Sequence, residues 1–129
     1  MKTNDIVCGI IVVVMVIMFC LAMANSARGE TVRVVTAYNV GDRSQTDDTP
    51  CIDASNSNIC LALDRGEKRC AANFVPLGTQ LHIQNYGTCT VTDRMNRRYK
   101  NRVDVAFPKH EKSKALKFGK QKLYVEVIK

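Results

Sequence analysis

Two aspartates in the last third of this 129-residue chain stand where a carboxylate is costly. Asp93 closes a strand-like run, Thr88–Thr92, and Asp104 lies between Val103 and Val105 in a second run, Arg102–Phe107. Aspartate is depleted from strands because its short polar side chain competes with the backbone ladder. A carboxyl group that is partly buried, or that faces another carboxylate, keeps its proton toward neutral pH and can pass it to a leaving oxygen. Glycosidic bond cleavage uses this chemistry. The structural alternative is that both aspartates neutralise nearby cations. The intervening Arg94–Arg102 loop carries five of these, with Met95, Asn96, Tyr99 and Asn101 between them. Such a loop suits an anionic or amide-rich polymer, with Tyr99 offering its ring to a sugar or base. A solvated charged loop is the plainer alternative.

Other chemistries find little support. His82 alternates outward on a strand and His110 falls in the first turn of a helix, so neither pairs with a nucleophile. Gly78 and Gly87 are separated turn residues, not a phosphate-binding loop. Asp47-Asp48 lacks partners at fixed offsets, so no metal site and no cofactor are expected.

The elements that must position the two aspartates begin after an apolar leader. Met1–Asp5 is a short polar head, Ile6–Leu21 is unbroken apolar sequence, and Ala22-Met23-Ala24 is a small-x-small cleavage pattern. This is the layout of a secretory signal peptide over residues 1–24; an uncleaved anchor is the alternative, since about 18 apolar residues span a bilayer. Only in that case is membrane contact expected. Removing residues 1–24 takes away one lysine and one aspartate, so the net charge stays at +7. A basic exported domain is drawn to polyanions. Four cysteines remain, Cys51, Cys60, Cys70 and Cys89, an even number that indicates disulfides in an exported chain. Three connectivities are possible. Cys51–Cys60 with Cys70–Cys89 is favoured because the first pair brackets a compact Asx/Ser-rich turn. Zinc is disfavoured, as no C-x-x-C spacing occurs.

Residues 25–30 form a short lead and 31–129 the folded domain. Alternating or β-branched runs predict strands at Thr31–Tyr38, Gln80–Gln84, Thr88–Asp93, Arg102–Phe107 and Gln121–Ile128, with Cys70–Val75 a short strand or bridge and Ile59–Leu63 a candidate short strand. Asn39–Asn58 is a long irregular segment pinned at Cys51. Asn85-Tyr86-Gly87 is a hairpin connection. One helix is expected from after Pro108 to about Phe118, with Ala115, Leu116 and Phe118 on one side and Gly119 closing it. About six short strands and one helix suggest a small closed barrel, all-β in class, which leaves no bare sheet edge.

With these pieces in order, the chain resembles the three-aspartate domain family. That family shares a double-psi β-barrel with the C-terminal part of membrane-bound lytic transglycosylase A and with barwin- and expansin-like proteins. Val35-Thr36-Ala37-Tyr38 resembles the opening strand and Ala54-Ser55 the small-residue site. Val75-Pro76-Leu77-Gly78-Thr79 resembles the following turn. Thr92-Asp93 and Arg102-Val103-Asp104-Val105 resemble the strands of the second and third aspartates. Phe107–Glu111 with Ala115–Gly119 resembles the final helix, and Tyr124–Val127 the last strand. Two features depart from the pattern: Ala71 stands where the first aspartate belongs, and Arg94–Tyr99 replaces a glycine-rich segment.

The resemblance implies a six-stranded double-psi barrel, RlpA-like, that works on peptidoglycan glycan strands. The eleven-residue step from Asp93 to Asp104 matches the transglycosylase, so Asp104 maps onto the acid/base and Asp93 onto its support. The implied reaction cleaves the bond between N-acetylmuramic acid and N-acetylglucosamine with formation of a 1,6-anhydro ring. Thr36, Tyr38, Ser55, Asn73, Arg94, Asn96, Arg97 and Tyr99 are the candidate substrate contacts, and anionic wall polymers are possible partners. A non-catalytic wall-binding or wall-loosening module is the alternative. A basic nucleic-acid-binding factor is a third reading, though nucleic acid is not the expected partner.

Overall fold

A computed structural model describes residues 3–24, 29–44 and 48–128. Most of the short lead (residues 25–28) and Asp47 lie outside the described residues. The leader forms helix α1, Thr3–Ala24. Its apolar side chains from Ile6 to Met18 are exposed on every side. Among the described residues no helix is long and apolar enough to cross a membrane.

Six strands follow: β1 (Glu30–Asn39), β2 (Arg69–Ala72), β3 (Gln80–Ile83), β4 (Gly87–Asp93), β5 (Val103–Phe107) and β6 (Gln121–Val127). They close into one mixed barrel in the order β1-β5-β2-β4-β3-β6. β1 runs parallel to β5 and β2 parallel to β4, while the other four pairings are antiparallel. The protein is thus mainly β, as the alternating runs predicted. Inward side chains of all six strands, among them Val35, Leu81, Ile83, Val91, Val103, Val105, Leu123 and Val125, fill the barrel. The Cys70–Cys89 disulfide crosses this core and the Cys51–Cys60 disulfide closes the long loop. Each crosslink contributes ~3 kcal/mol by restricting the unfolded chain.

Several boundaries differ from expectation. Ile59–Asp64 is not a strand but helix α2. The Asn58 side chain accepts from the Leu61 N–H at 3.0 Å, which caps that helix. Ile59 and Leu63, four apart, then pack together on Val40 and Ala106 in a second small core. The C-terminal helix starts late. Pro108 holds an extended ψ of 153°, Lys109–Glu111 makes a 3₁₀ turn, and helix α3 spans only Lys112–Phe118. Ala115 is buried and Phe118 packs on the core, but Leu116 is 71% exposed, one residue round the helix from Ala115. Gly119 ends the helix with φ of 60°. Cys70–Val75 pairs only as far as Ala72, and Val127, level with the buried Leu81, is exposed at the end of β6. The β3–β4 hairpin turns through Asn85 at φ 61° and Gly87 at φ 110°.

Candidate active site

Strand alternation puts Val103 and Val105 inside the barrel, so Asp104 must point outward. Register then assembles a row across four strands. Thr36 of β1 is level with Asp104 of β5, Asp104 with Ala71 of β2, and Ala71 with Asp93 of β4. The last pairing depends on an irregularity. Cys70 is level with Val91, yet the next residue, Ala71, is level with Asp93, so Thr92 is skipped. A bulge of this kind re-aims the side chain that follows it. Without it Ala71 would face Thr92 and Asp93 would leave the row. The two aspartates therefore flank the small Ala71 side chain. Asp104, Ala71 and Asp93 line a groove of about 730 Å³, together with Tyr38, Asp53, Ala54, Arg94, Met95, Asn96 and Tyr99.

The two carboxyl groups are held differently. Asp104 accepts one hydrogen bond, from Thr36 Oγ1 to Oδ1 at 2.9 Å. Among the described residues nothing bonds its Oδ2. Burial pushes its pKa up to about 6, against the opposing pulls of the Thr36 bond and the Arg102 charge, and the Asp93 charge adds to the rise. Asp93 is fully engaged. Its Oδ1 accepts the backbone N–H groups of Ala54 at 3.1 Å and Arg94 at 2.9 Å, and its Oδ2 accepts the Tyr38 hydroxyl at 3.5 Å. Burial raises its pKa too, and those donors oppose the rise. Tyr38 is held well above its ordinary value by burial and by the charges of Asp93, Asp104 and Asp53, so it remains a donor. A carboxyl with a raised pKa and an unengaged oxygen can deliver a proton. A neighbour with both oxygens occupied can only hold the geometry.

A third carboxylate, Asp53, belongs to this site and was not singled out from the sequence. It is 6% exposed and lines the groove. Its Oδ1 accepts Ser55 N (3.1 Å), Ser55 Oγ (2.6 Å) and Ser57 N (3.0 Å), and its Oδ2 accepts Ser57 Oγ (2.8 Å). Burial pushes the carboxyl up, but these bonds together outweigh it and hold the pKa below its ordinary value. The turn they tie also donates Ala54 N–H to Asp93 and Ser55 N–H to Thr92 O at 3.0 Å. Asp53 thus positions Asp93 through the backbone. The Asp-x-Ser-x-Ser spacing of an Asx-type turn was its available signal. Among the described residues no group of acidic, His or Cys side chains is arranged to hold a metal ion.

The other candidate contacts divide. Thr36 and Tyr38 bond the two aspartates, whereas Ser55 bonds Asp53 and does not line the groove. Asn73 is a staple for the loop. Its Nδ2 donates to the carbonyls of Met95 and Asn96 at 3.0 Å and of Tyr99 at 3.3 Å, and its Oδ1 accepts Met95 N–H at 2.9 Å. Arg94 donates to the carbonyls of Ala72 (2.7 Å) and Val75 (2.5 Å), so its guanidinium braces β2. Asn96 lines the groove and its Oδ1 accepts Arg98 N–H at 3.1 Å. Arg97 is exposed and outside the groove lining. Tyr99 lines the groove, but the guanidiniums of Arg102 and Arg98 lie over its ring at 4.2 and 4.7 Å. A sugar stacking there would have to displace one of them.

The chain is 32% identical over 56 residues to a Bacillus subtilis (strain 168) protein named "Putative cell wall shaping protein YabE". The match covers 43% of this chain and 13% of that protein, so the chain spans a small part of its relative. No protein-family model matches the chain. No solved structure matches it either.

Proposed function

We propose that residues 31–129 form an exported, wall-associated barrel that cleaves peptidoglycan glycan strands as a lytic transglycosylase, with residues 1–24 as the export signal. Distant similarity to a cell wall shaping protein and two disulfides, which belong to an oxidising compartment, support the wall and export parts of this reading. The closed six-stranded mixed barrel, with β1 parallel to β5 and β2 parallel to β4, supports the barrel part of it.

The observation that carries the catalytic part is Asp104 in the groove, with a pKa of about 6 and only one of its oxygens bonded. Protonated, Asp104 gives its proton to the glycosidic oxygen as the bond from C1 of N-acetylmuramic acid breaks. The muramyl 6-hydroxyl oxygen then bonds to C1 and its proton returns to the Asp104 carboxylate. A 1,6-anhydro ring and a free N-acetylglucosamine 4-hydroxyl result, no water is consumed, and the acid is regenerated. One carboxyl group suffices because the nucleophile is part of the substrate. Asp93, fixed by Tyr38 and the 53–57 turn, orients the site and stabilises the protonated form of its neighbour.

Digestion of purified peptidoglycan followed by mass spectrometry tests this. Wild type should release anhydro-muropeptides and Asp104→Asn should not; their absence from a wild-type digest sinks the reaction. The second reading, a wall-binding module without catalysis, draws on Ala71 standing between the two aspartates where the resembled family carries a carboxylate. It predicts sedimentation with insoluble wall that Asp104→Asn leaves unchanged.

A further inference from the structure

We propose that Arg98 and Arg102, packed on Tyr99, form a subsite for a carboxylate on the sugar beside the cleaved bond, an inference that rests on the glycan-cleaving reading above. Two guanidiniums at 4.7 and 4.2 Å from one ring centroid repel each other. Among the described residues neither makes an ion pair with an acid. The Glu67 carboxylate, by contrast, pairs with both Arg65 and Arg69. The arrangement is nevertheless built. Asn73 holds the carbonyls of Met95, Asn96 and Tyr99, Asn96 Oδ1 takes Arg98 N–H, and Tyr99 N–H donates to Asn96 O at 2.9 Å. A preorganised pair of unpartnered planar cations suits a carboxylate, which guanidinium binds through paired donors.

Position selects the ligand. Tyr99 lines the groove that holds Asp104. Arg102 immediately precedes β5, two residues before Asp104, and its charge acts on that carboxyl. An anion held by Arg102 therefore lies within about one sugar ring of the proton donor. Binding it would also withdraw part of the cationic field that favours ionised Asp104, so an acidic substrate would help its own acid stay protonated. Arg97, exposed and not packed on Tyr99, serves as the internal control for charge alone.

Calorimetry on the full chain tests the subsite with two soluble probes. One is an oligosaccharide alternating N-acetylglucosamine with N-acetylmuramic acid bearing free lactyl carboxylates. The other is the same oligosaccharide with those carboxylates reduced to alcohols. The acidic form should bind about tenfold tighter, the scale of one charge-assisted contact. Arg102→Gln and Arg98→Gln should remove that preference without changing affinity for the reduced form, and Arg97→Gln should keep it. Arg102→Lys, which keeps the charge but not the planar fork, should retain only part of it. Amide NMR spectra of each variant confirm the fold. Equal binding of the two probes, or equal loss in Arg97→Gln, overturns the subsite and leaves the glycan reading standing. Binding of neither probe overturns both. Tighter binding of inorganic polyphosphate, lost in the same variants, overturns it in favour of a phosphate polymer.

Discussion

The 53–57 turn and strand β5 each bring a carboxylate to one groove, and they treat it in opposite ways. Asp53 has little solvent contact, yet it is held in its ionised form, because four hydrogen bonds from Ser55 and Ser57 converge on it. Asp104 has one such bond and is pushed up to about 6. Burial acts on both in the same direction; the donors outweigh it at Asp53, and the single donor does not at Asp104. A turn can fold its own N–H groups onto a side chain. A strand has committed its N–H groups to the ladder, so a strand aspartate depends on whatever neighbouring side chains supply. On the proposed function, this difference separates a carboxylate that builds from one that reacts.

The largest effect should come from Asp104→Asn. It removes the transferable proton and should lower glycan cleavage at least ~10³-fold, measured as anhydro ends released per hour. It should also stabilise the fold. A folded pKa of about 6 against an ordinary 3.8 means that the native state binds a proton more tightly than the unfolded chain. Stability is then lost as pH rises from about 3.8 to 6 and stays lost above, by up to ~3 kcal/mol. Asp104→Asn should therefore raise the urea midpoint at pH 7.5, and most of that gain should be gone at pH 4. A variant no more stable than wild type at pH 7.5 would contradict the raised pKa.

Asp53 should give the reverse signature. Its folded pKa is lowered, so its contribution is present above 3.8 and lost as pH falls through the folded value. Asp53→Ala strands buried donors on Ser55 and Ser57 and should cost ~2–4 kcal/mol at pH 7.5. The same substitution loosens Ala54 N–H from Asp93, so cleavage should fall even where the variant is fully folded. Normal activity in a folded Asp53→Ala would break the link between the turn and the site.

Ala71→Asp narrows the contrast by putting a third carboxylate between Asp104 and Asp93, on a residue with almost no solvent contact. Like charge and burial both favour the protonated forms. The alkaline limb of the cleavage profile should move up by about one pH unit, with a stability loss of ~2 kcal/mol. An unmoved limb would mean that residue 71 does not face Asp104.

Much of this fold could be read from sequence, because alternation is a local signal. β1, β3, β5 and β6 each announce an inward face, and Asp104 between two valines follows from that alternation. Ile59–Leu63 misled because a short apolar run fits strand or helix equally; the Asn58 cap, read three residues ahead to Leu61, decides it. The pairing of Ala71 with Asp93 could not be read at all. It depends on a skipped residue, and register shifts leave no mark in either strand alone. Asp53 escaped because its turn is rich in Asp, Ser and Asn, a composition that looks like solvated loop until the bonds are counted. For Arg94 and Asn73 the sequence marks the neighbourhood but not the backbone partners, since a cation or an amide looks the same in sequence whatever it meets.

The smallest predicted change isolates a single donor. Thr36→Val keeps the shape of the side chain and removes the 2.9 Å bond to Asp104 Oδ1. That bond favours the ionised carboxylate, so its loss should raise the Asp104 pKa further above its ordinary value. Carbon-13 NMR of the carboxyl groups should show a rise of ~0.5–1 pH unit, the equivalent of about 1 kcal/mol. The alkaline limb of cleavage should shift by the same amount, and the rate at pH 5, where Asp104 is already mostly protonated, should barely change. A downward shift would mean that Thr36 bonds the protonated acid instead. The contrast with Asp53 would then rest on which form the donors stabilise and not on how many there are.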